Sequence, residues 1–166
     1  ATATPEDLAQ LVASTVRAMG RLHILVNAAG ITIRHPVLDY PPEDWNQVMQ
    51  VNLHCLMFLS QAAARHMVAM GGGKIINVAS ALSFQGGILS VPYAAAKHAV
   101  AGVTKAMANE LAPYHVNVNA IAPGYMRTEL TESLATDPSR EPAITARIPA
   151  GRWGTADALK GAVVFL

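Results

Sequence analysis

Residues 22–30 read Leu-His-Ile-Leu-Val-Asn-Ala-Ala-Gly, a short apolar run over 22–27 that closes on three small residues. That pattern predicts a buried strand running into a tight turn, as in a parallel sheet. Upstream, Leu8, Leu11, Val12, Thr15, Val16 and Met19 recur at three- and four-residue spacing and stop at Gly20, which predicts an amphipathic helix over 5–19. Downstream, a long helical pattern covers 43–70. Pro41 and Pro42 stand before it, and Gly71-Gly72-Gly73 ends it. A second buried strand is expected over 74–79. An alanine-rich helix follows over 91–112, stopped near Pro113, and then a β-branched third strand over 116–122 ends at Pro123-Gly124. Between 126 and 149, Pro138 and Pro142 limit any helix to short pieces. A last helix is expected from Thr155, read as its N-cap, and the chain stops at Leu166 within that pattern.

Apolar strands alternating with helical crossovers of more than about a dozen residues imply a parallel α/β sheet covered on both faces. Ligands of such sheets bind beyond the carboxyl ends of the strands. The turns at 27–30, at Ser80 and at Pro123-Gly124 are therefore expected on one rim. No repeat, linker or low-complexity segment divides the chain, so 1–166 is read as one partial domain.

Composition narrows the function classes. A net charge of +1 with scattered Lys and Arg argues against nucleic acid, a membrane surface or a polyanion as partner. A single cysteine, Cys55, rules out an intrachain disulfide, fits a reducing compartment and reads as a core residue. No apolar run reaches the roughly 18 residues of a membrane span and no secretion signal opens the chain, so a cytoplasmic protein is expected. No metal site is expected.

Tyr93 and Lys97 stand four apart near the start of a helix, so their side chains share a face. An ammonium beside a phenol stabilises the phenolate and lowers its pKa from about 10 towards neutrality, which suits proton exchange with an alcohol or ketone. Ser80 ends a strand on the same rim, where its hydroxyl reads either as a carbonyl ligand or as a turn serine. Asn52 lies between Val51 and Leu53 in an apolar helix, where an unsatisfied amide costs about 1–3 kcal/mol. A structural hydrogen bond and a water site are both open for it. The small residues at 28–30, and Pro123-Gly124, leave room for a flat ligand to approach the backbone.

These five features, in this order, resemble the short-chain dehydrogenase/reductase family. Asn27-Ala28-Ala29-Gly30 is similar to its Asn-Asn-Ala-Gly turn, with alanine at the second position. Asn52, Ser80, Tyr93 and Lys97 match its catalytic tetrad. The run Asn119-Ala120-Ile121-Ala122-Pro123-Gly124 resembles its Asn-x-x-x-Pro-Gly segment, and Thr128 matches a threonine near the nicotinamide. The resemblance implies a Rossmann-like doubly wound parallel sheet and an oxidoreductase moving a hydride between NAD or NADP and a secondary alcohol or ketone. It implies that Tyr93 exchanges the proton, Lys97 lowers its pKa and holds the ribose, Ser80 orients the carbonyl and Asn52 fixes a relay water. Asn27, Ala28 and Gly30 would line the adenosine side of the cofactor. Pro123, Gly124, Met126 and Thr128 would line the nicotinamide side.

Within the family, the runs 83–87, 117–125 and 147–154 resemble the 2-deoxy-D-gluconate 3-dehydrogenases, and the last of these is shared with the gluconate 5-dehydrogenases. That implies a sugar-acid substrate, with NAD favoured as cofactor. Arg34 or Arg147 is expected to pair with its carboxylate, and Gln85 to line the substrate. Nothing in the chain matches the family's opening Thr-Gly-x-x-x-Gly-x-Gly turn or its final strand, so the sheet is expected to be incomplete at both ends. The helices over 43–70 and 91–112 are expected to build a homodimer or homotetramer. A non-catalytic fragment acting as an oligomer partner, another substrate class in the family, and a binding module for something other than a dinucleotide remain alternatives.

Overall fold

The structure, a computed structural model, describes residues 3–166. They form two compact units, 3–122 and 123–166.

The first unit opens with α1 (Pro5–Met19). Its start is written in the sequence: Thr4 Oγ1 accepts from Asp7 N at 3.2 Å while Asp7 Oδ2 accepts from Thr4 N at 2.9 Å. That reciprocal capping box satisfies two otherwise orphaned donors. Three parallel strands follow, β1 (Ile24–Asn27), β2 (Gly73–Val78) and β3 (Val116–Ile121), in the spatial order β1-β2-β3. Leu25, Ile75 and Val118 stand in register on one face. On that face Ile75, Val116 and Val118 join Val12, Ala63, Ala64, Met67 and Met107 in the main core, with Leu25 packed against it. The helices supplying those residues are α1, α3 (Cys55–Ala69) and α4 (Val91–Leu111).

The sequence reading and the structure agree on a parallel α/β sheet and differ in three places. β1 is an edge strand whose Ile24 and Val26 are 55% and 42% exposed, since α3 packs on its other face, so the strand is not buried on both sides. The helical stretch expected over 43–70 is two helices, α2 (Pro42–Met49) and α3, joined by a π turn at Gln50–His54. The stretch after Thr155 begins as a 3₁₀ turn, Ala156–Leu159, before α7 (Lys160–Phe165), and the Thr155 side chain makes no capping bond. The close approach of β2 to β3 explains one glycine. Gly72 has φ +142°, and a Cβ there would lie 2.8 Å from the His115 carbonyl oxygen.

The second unit packs Leu134, Ala135, Ile144 and Trp153 around short helices α5 (Glu132–Ala135) and α6 (Glu141–Thr145). The Trp153 Nε1 donates to Thr145 Oγ1 at 2.9 Å and to Glu141 Oε1 at 3.2 Å, so its polar end is satisfied. Among the described residues no helix is long and apolar enough to cross a membrane.

Candidate active site

The carboxyl ends of β1, β2 and β3 lie on one rim, and the chemistry-bearing residues of the first unit are set by them and by α4. Asn52 occupies the π turn and is buried. Its Oδ1 accepts from Ile31 N at 3.0 Å, while its Nδ2 donates to Ile31 O at 2.8 Å and to Val48 O at 2.9 Å. Both ends of the amide are used, so it is not left unsatisfied in its apolar setting. π turns of this kind interrupt α-helices most often at functional sites. Here the turn aims one amide at both polar groups of Ile31, just past the small-residue run. That close approach dictates Gly30: a Cβ there would lie 2.7 Å from Asn52 Oδ1 and 4.0 Å from Lys97 Nζ.

Ser80 caps a 3₁₀ turn, Ala81–Ser83, its Oγ accepting from Leu82 N at 3.1 Å. Ser83 was not singled out as a site residue from sequence, yet it ties this turn to α4. Its buried Oγ accepts from Ser80 N at 3.2 Å and donates to Lys97 O at 2.6 Å. Tyr93 and Lys97 rise from the first turns of α4, with Lys97 Nζ 5.6 Å from the centroid of the Tyr93 ring. The Tyr93 hydroxyl is held above its usual pKa by burial, opposed by a hydrogen bond with the Ser80 side chain and by the charge of Arg34. Here the structure departs from the sequence reading, which expected Lys97 to bring the phenol towards neutrality. The four-residue spacing puts the two residues on one face, but the Lys97 ammonium turns to the Val78 carbonyl at 2.6 Å. Lys97 is itself 4% exposed, and burial brings its pKa down to about 8.

A buried polar chain lies beneath the rim. Asn27 Nδ2 donates to Ser60 Oγ and to Asn77 Oδ1, each at 2.8 Å, Asn77 Nδ2 donates to Thr104 Oγ1 at 2.9 Å, and Thr104 Oγ1 donates to Val100 O at 2.7 Å. It ties the ends of β1 and β2 to α3 and α4. The sequence signal was there: Asn77, Ser60 and Thr104 each interrupt an apolar run. Ala28 is exposed beyond Asn27, Gln85 is exposed on the loop after Ser80, and Arg34 is half-buried after β1.

The other residues singled out in sequence belong to the second unit. Met126 forms a parallel bridge with Gly154, and Arg127 N donates to Gly154 O at 2.9 Å. Thr128 caps the 3₁₀ turn Glu129–Thr131, its Oγ1 3.2 Å from Thr131 Oγ1. Pro123 and Gly124 open the unit, and Arg147 is exposed just after α6. Among the described residues no group of three or more His, Cys, Asp or Glu could hold a metal ion.

A half-buried phenol close to a serine, with a lysine and an arginine nearby, can pass a proton to and from an oxygen placed between serine and phenol. Known proteins share both this sequence and this fold. The chain is 50% identical, over 97% of its length and 64% of the relative's, to 2-dehydro-3-deoxy-D-gluconate 5-dehydrogenase of Escherichia coli K12. It is 55% identical to the enzyme of the same name from Bacillus subtilis 168, over 88% of this chain and 58% of that one. A gluconate 5-dehydrogenase of Burkholderia cenocepacia J2315, solved in complex with NADP and tartrate, superposes with a TM-score of 0.95 at 41% identity, covering 98% of this chain and 64% of that one. The chain thus spans less than two thirds of the length of each. Residues 2–139, including Asn52, Ser80, Tyr93 and Lys97, match the family described as short chain dehydrogenase, and the chain belongs to that family.

Proposed function

We propose that this chain carries the proton-transfer and substrate-binding part of an NAD(P)-dependent dehydrogenase that interconverts a secondary alcohol and a ketone on a sugar acid such as 2-dehydro-3-deoxy-D-gluconate, 2-deoxy-D-gluconate or gluconate. The observation that carries the reading is the environment of Tyr93, a half-buried phenol close to the Ser80 side chain, within electrostatic reach of Arg34 and with the Lys97 ammonium 5.6 Å from its ring. Tyr93 exchanges the proton at the substrate oxygen, and Ser80 donates to that oxygen and orients it. Arg34 pairs with the substrate carboxylate, a pairing guanidinium geometry favours. Arg147 and Gln85, both exposed, carry no comparable support.

The residues present fit a dinucleotide. Small side chains stand at 28–30 on the strand-end rim, and the buried Lys97 ammonium points towards the same glycine. When bound, that group supplies the hydride donor or acceptor. Asn27, Ala28 and Gly30 are assigned to its adenosine side and Lys97 to its ribose. By family resemblance Pro123, Gly124, Met126 and Thr128 are assigned to its nicotinamide side. The proposal is made for NAD(P) as a class, since the relative solved with a cofactor carries NADP and lends no support to a preference for NAD.

A second copy of the chain is the proposed partner, in a dimer or tetramer. A shallow groove between α3 and α4 is lined by Met57, Val68, Met107 and Leu111 together with Arg65 and Glu110. Opposite charges on one apolar groove allow an isologous contact in which each copy's arginine meets the other's glutamate. A cytoplasmic setting completes the reading, supported by the single cysteine. The deciding assay follows the absorbance of reduced nicotinamide with each sugar acid and with both NAD and NADP, comparing the protein with its Tyr93→Phe variant. Sugar-acid-dependent turnover that falls by about 10²–10⁴-fold in the variant is expected. Turnover unchanged by Tyr93→Phe, or none with any of the three acids, overturns the reading.

A further inference from the structure

The loop that presents Arg34 is tied down on both sides of that residue. On its N-terminal side the Ile33 carbonyl accepts from the Tyr40 hydroxyl at 2.7 Å. On its C-terminal side His35 Nε2 meets Asp44 Oδ2 at 2.7 Å, and the His35 ring stands edge-on to the Tyr40 ring with centroids 5.2 Å apart. Asp44 belongs to the first turn of α2, the helix that leads into the π turn carrying Asn52, and Asn52 grips the Ile31 peptide from both sides. Positions 31, 33 and 35 are therefore anchored to one helix–loop frame, and Arg34 stands between the last two anchors. Val37 and Leu38 within the same loop are 66% and 92% exposed, so these two residues add no core to it. Anchors on either side of Arg34 fix the backbone from which its long, rotamer-rich side chain extends.

We infer that His35, Tyr40 and Asp44 are positioning residues that hold Arg34 in place for the carboxylate of the substrate, and so set the preference for acids over neutral polyols. The inference rests on the sugar-acid reading above. Fixing a charged side chain before the ligand arrives raises affinity by removing the ordering cost from binding. Here the gain in binding falls on the charged end of the substrate, while the charge of Arg34 also reaches Tyr93.

The test compares D-gluconate with D-glucitol, which has the same carbon chain without the carboxylate. KM and kcat for both, and Kd for both by calorimetry, are measured for the protein and for Arg34→Ala, His35→Ala, Asp44→Asn, Asp44→Glu and Tyr40→Phe. His35→Ala and Asp44→Asn are expected to raise KM and Kd for gluconate by about 3–10-fold, the weakening expected of a partly exposed charged hydrogen bond. KM and Kd for glucitol should stay within twofold, and Asp44→Glu should recover most of the loss. Tyr40→Phe keeps the ring and tests the Ile33 tether alone. A protein that binds gluconate no better than glucitol refutes the sugar-acid reading itself. If Arg34→Ala abolishes the preference while His35→Ala and Asp44→Asn leave it intact, the positioning role is refuted and that reading stands. An equal rise for both ligands, with a lowered melting temperature, also refutes it, because it marks a merely structural contact.

Discussion

Lys97 sits in the core of the site at 4% exposure, and its ammonium has one protein acceptor, the Val78 carbonyl at 2.6 Å. Burial lowers its pKa from the usual 10.5 to about 8. Each pKa unit corresponds to about 1.4 kcal/mol, so at neutral pH the charged side chain weakens the fold by about 3 kcal/mol relative to a solvated lysine. The unfolded chain keeps this proton up to about pH 10.5 and the folded chain releases it near 8. Between those values the unfolded state binds more protons, and stability rises with pH. Below about pH 8 the penalty is fully present, and above about 10.5 it is gone.

Lys97→Met removes the charge and keeps most of the length. It leaves the Val78 carbonyl without its donor, which costs about 1–3 kcal/mol at every pH. The charge relief and the orphaned carbonyl nearly offset one another at pH 7, so the variant should match the parent or exceed it by up to about 2 kcal/mol there. The difference between them should then fall by about 2 kcal/mol from pH 8 to pH 10, as the parent sheds its proton. Urea denaturation of both proteins at pH 7, 8, 9 and 10 reads this directly, and all other titrations cancel in the comparison. Parallel stability profiles across that range would refute the placement of a strained charge at this site. Activity should be lost at every pH, the trade expected where a site keeps a destabilising group for its chemistry.

Gly30→Ala puts a methyl 2.7 Å from Asn52 Oδ1. It should displace the amide from Ile31, lower stability by about 1–3 kcal/mol and weaken NADP binding, read by thermal melting and fluorescence titration; an unchanged pair of values would exclude the contact. Thr104→Val leaves Asn77 Nδ2 without its acceptor and should cost about 1–3 kcal/mol, whereas the double variant Asn77→Leu/Thr104→Val should cost less than the sum of the singles, because no orphan remains between those two positions. Additive losses in denaturant titrations would show that the two do not interact. Gly73→Ala brings a Cβ 2.5 Å from Cγ and 2.9 Å from Cβ of the fully buried Met67 and should lower stability by about 1–3 kcal/mol through overpacking; a melting temperature equal to the parent's would contradict it.

Much of the frame was legible because its signals are local. The apolar spacing over 5–19 and the stop at Gly20 coincide with α1, and the three strands lie within two residues of the apolar runs that announce them. The π turn was not legible. Over a single turn, apolar spacing does not distinguish four-residue from five-residue bonding, so 43–70 reads as one helix. The one hint was Asn52, an amide whose apolar neighbours demanded partners, and those partners turned out to be backbone groups 21 and 4 positions away. Contacts of long separation leave no periodic trace, which is also why the His35–Asp44 tether and the Ser83 link went unread.

Tyr93 and Lys97 mark the boundary between what spacing settles and what packing settles. Helical geometry fixes their Cα atoms on one face, and from that the sequence argued a lowered phenol pKa. Four rotatable bonds separate the lysine backbone from its charge, and the Val78 carbonyl takes the ammonium at 2.6 Å. The phenol is left to burial, which raises its pKa, and to Ser80 and Arg34, which oppose the rise. Activation of Tyr93 therefore draws on two loops, after β1 and after β2, as well as on the helix that carries it. A loop cation that both anchors an acid and favours the phenolate couples substrate choice to proton transfer. Arg34→Ala should on that account raise KM for gluconate and also move the rising limb of the kcat–pH profile for gluconate oxidation upward in pH, since Tyr93 accepts the alcohol proton as phenolate and removing the positive charge disfavours the phenolate. A Michaelis constant that rises with no movement of the limb would separate the two roles and leave Arg34 with binding alone.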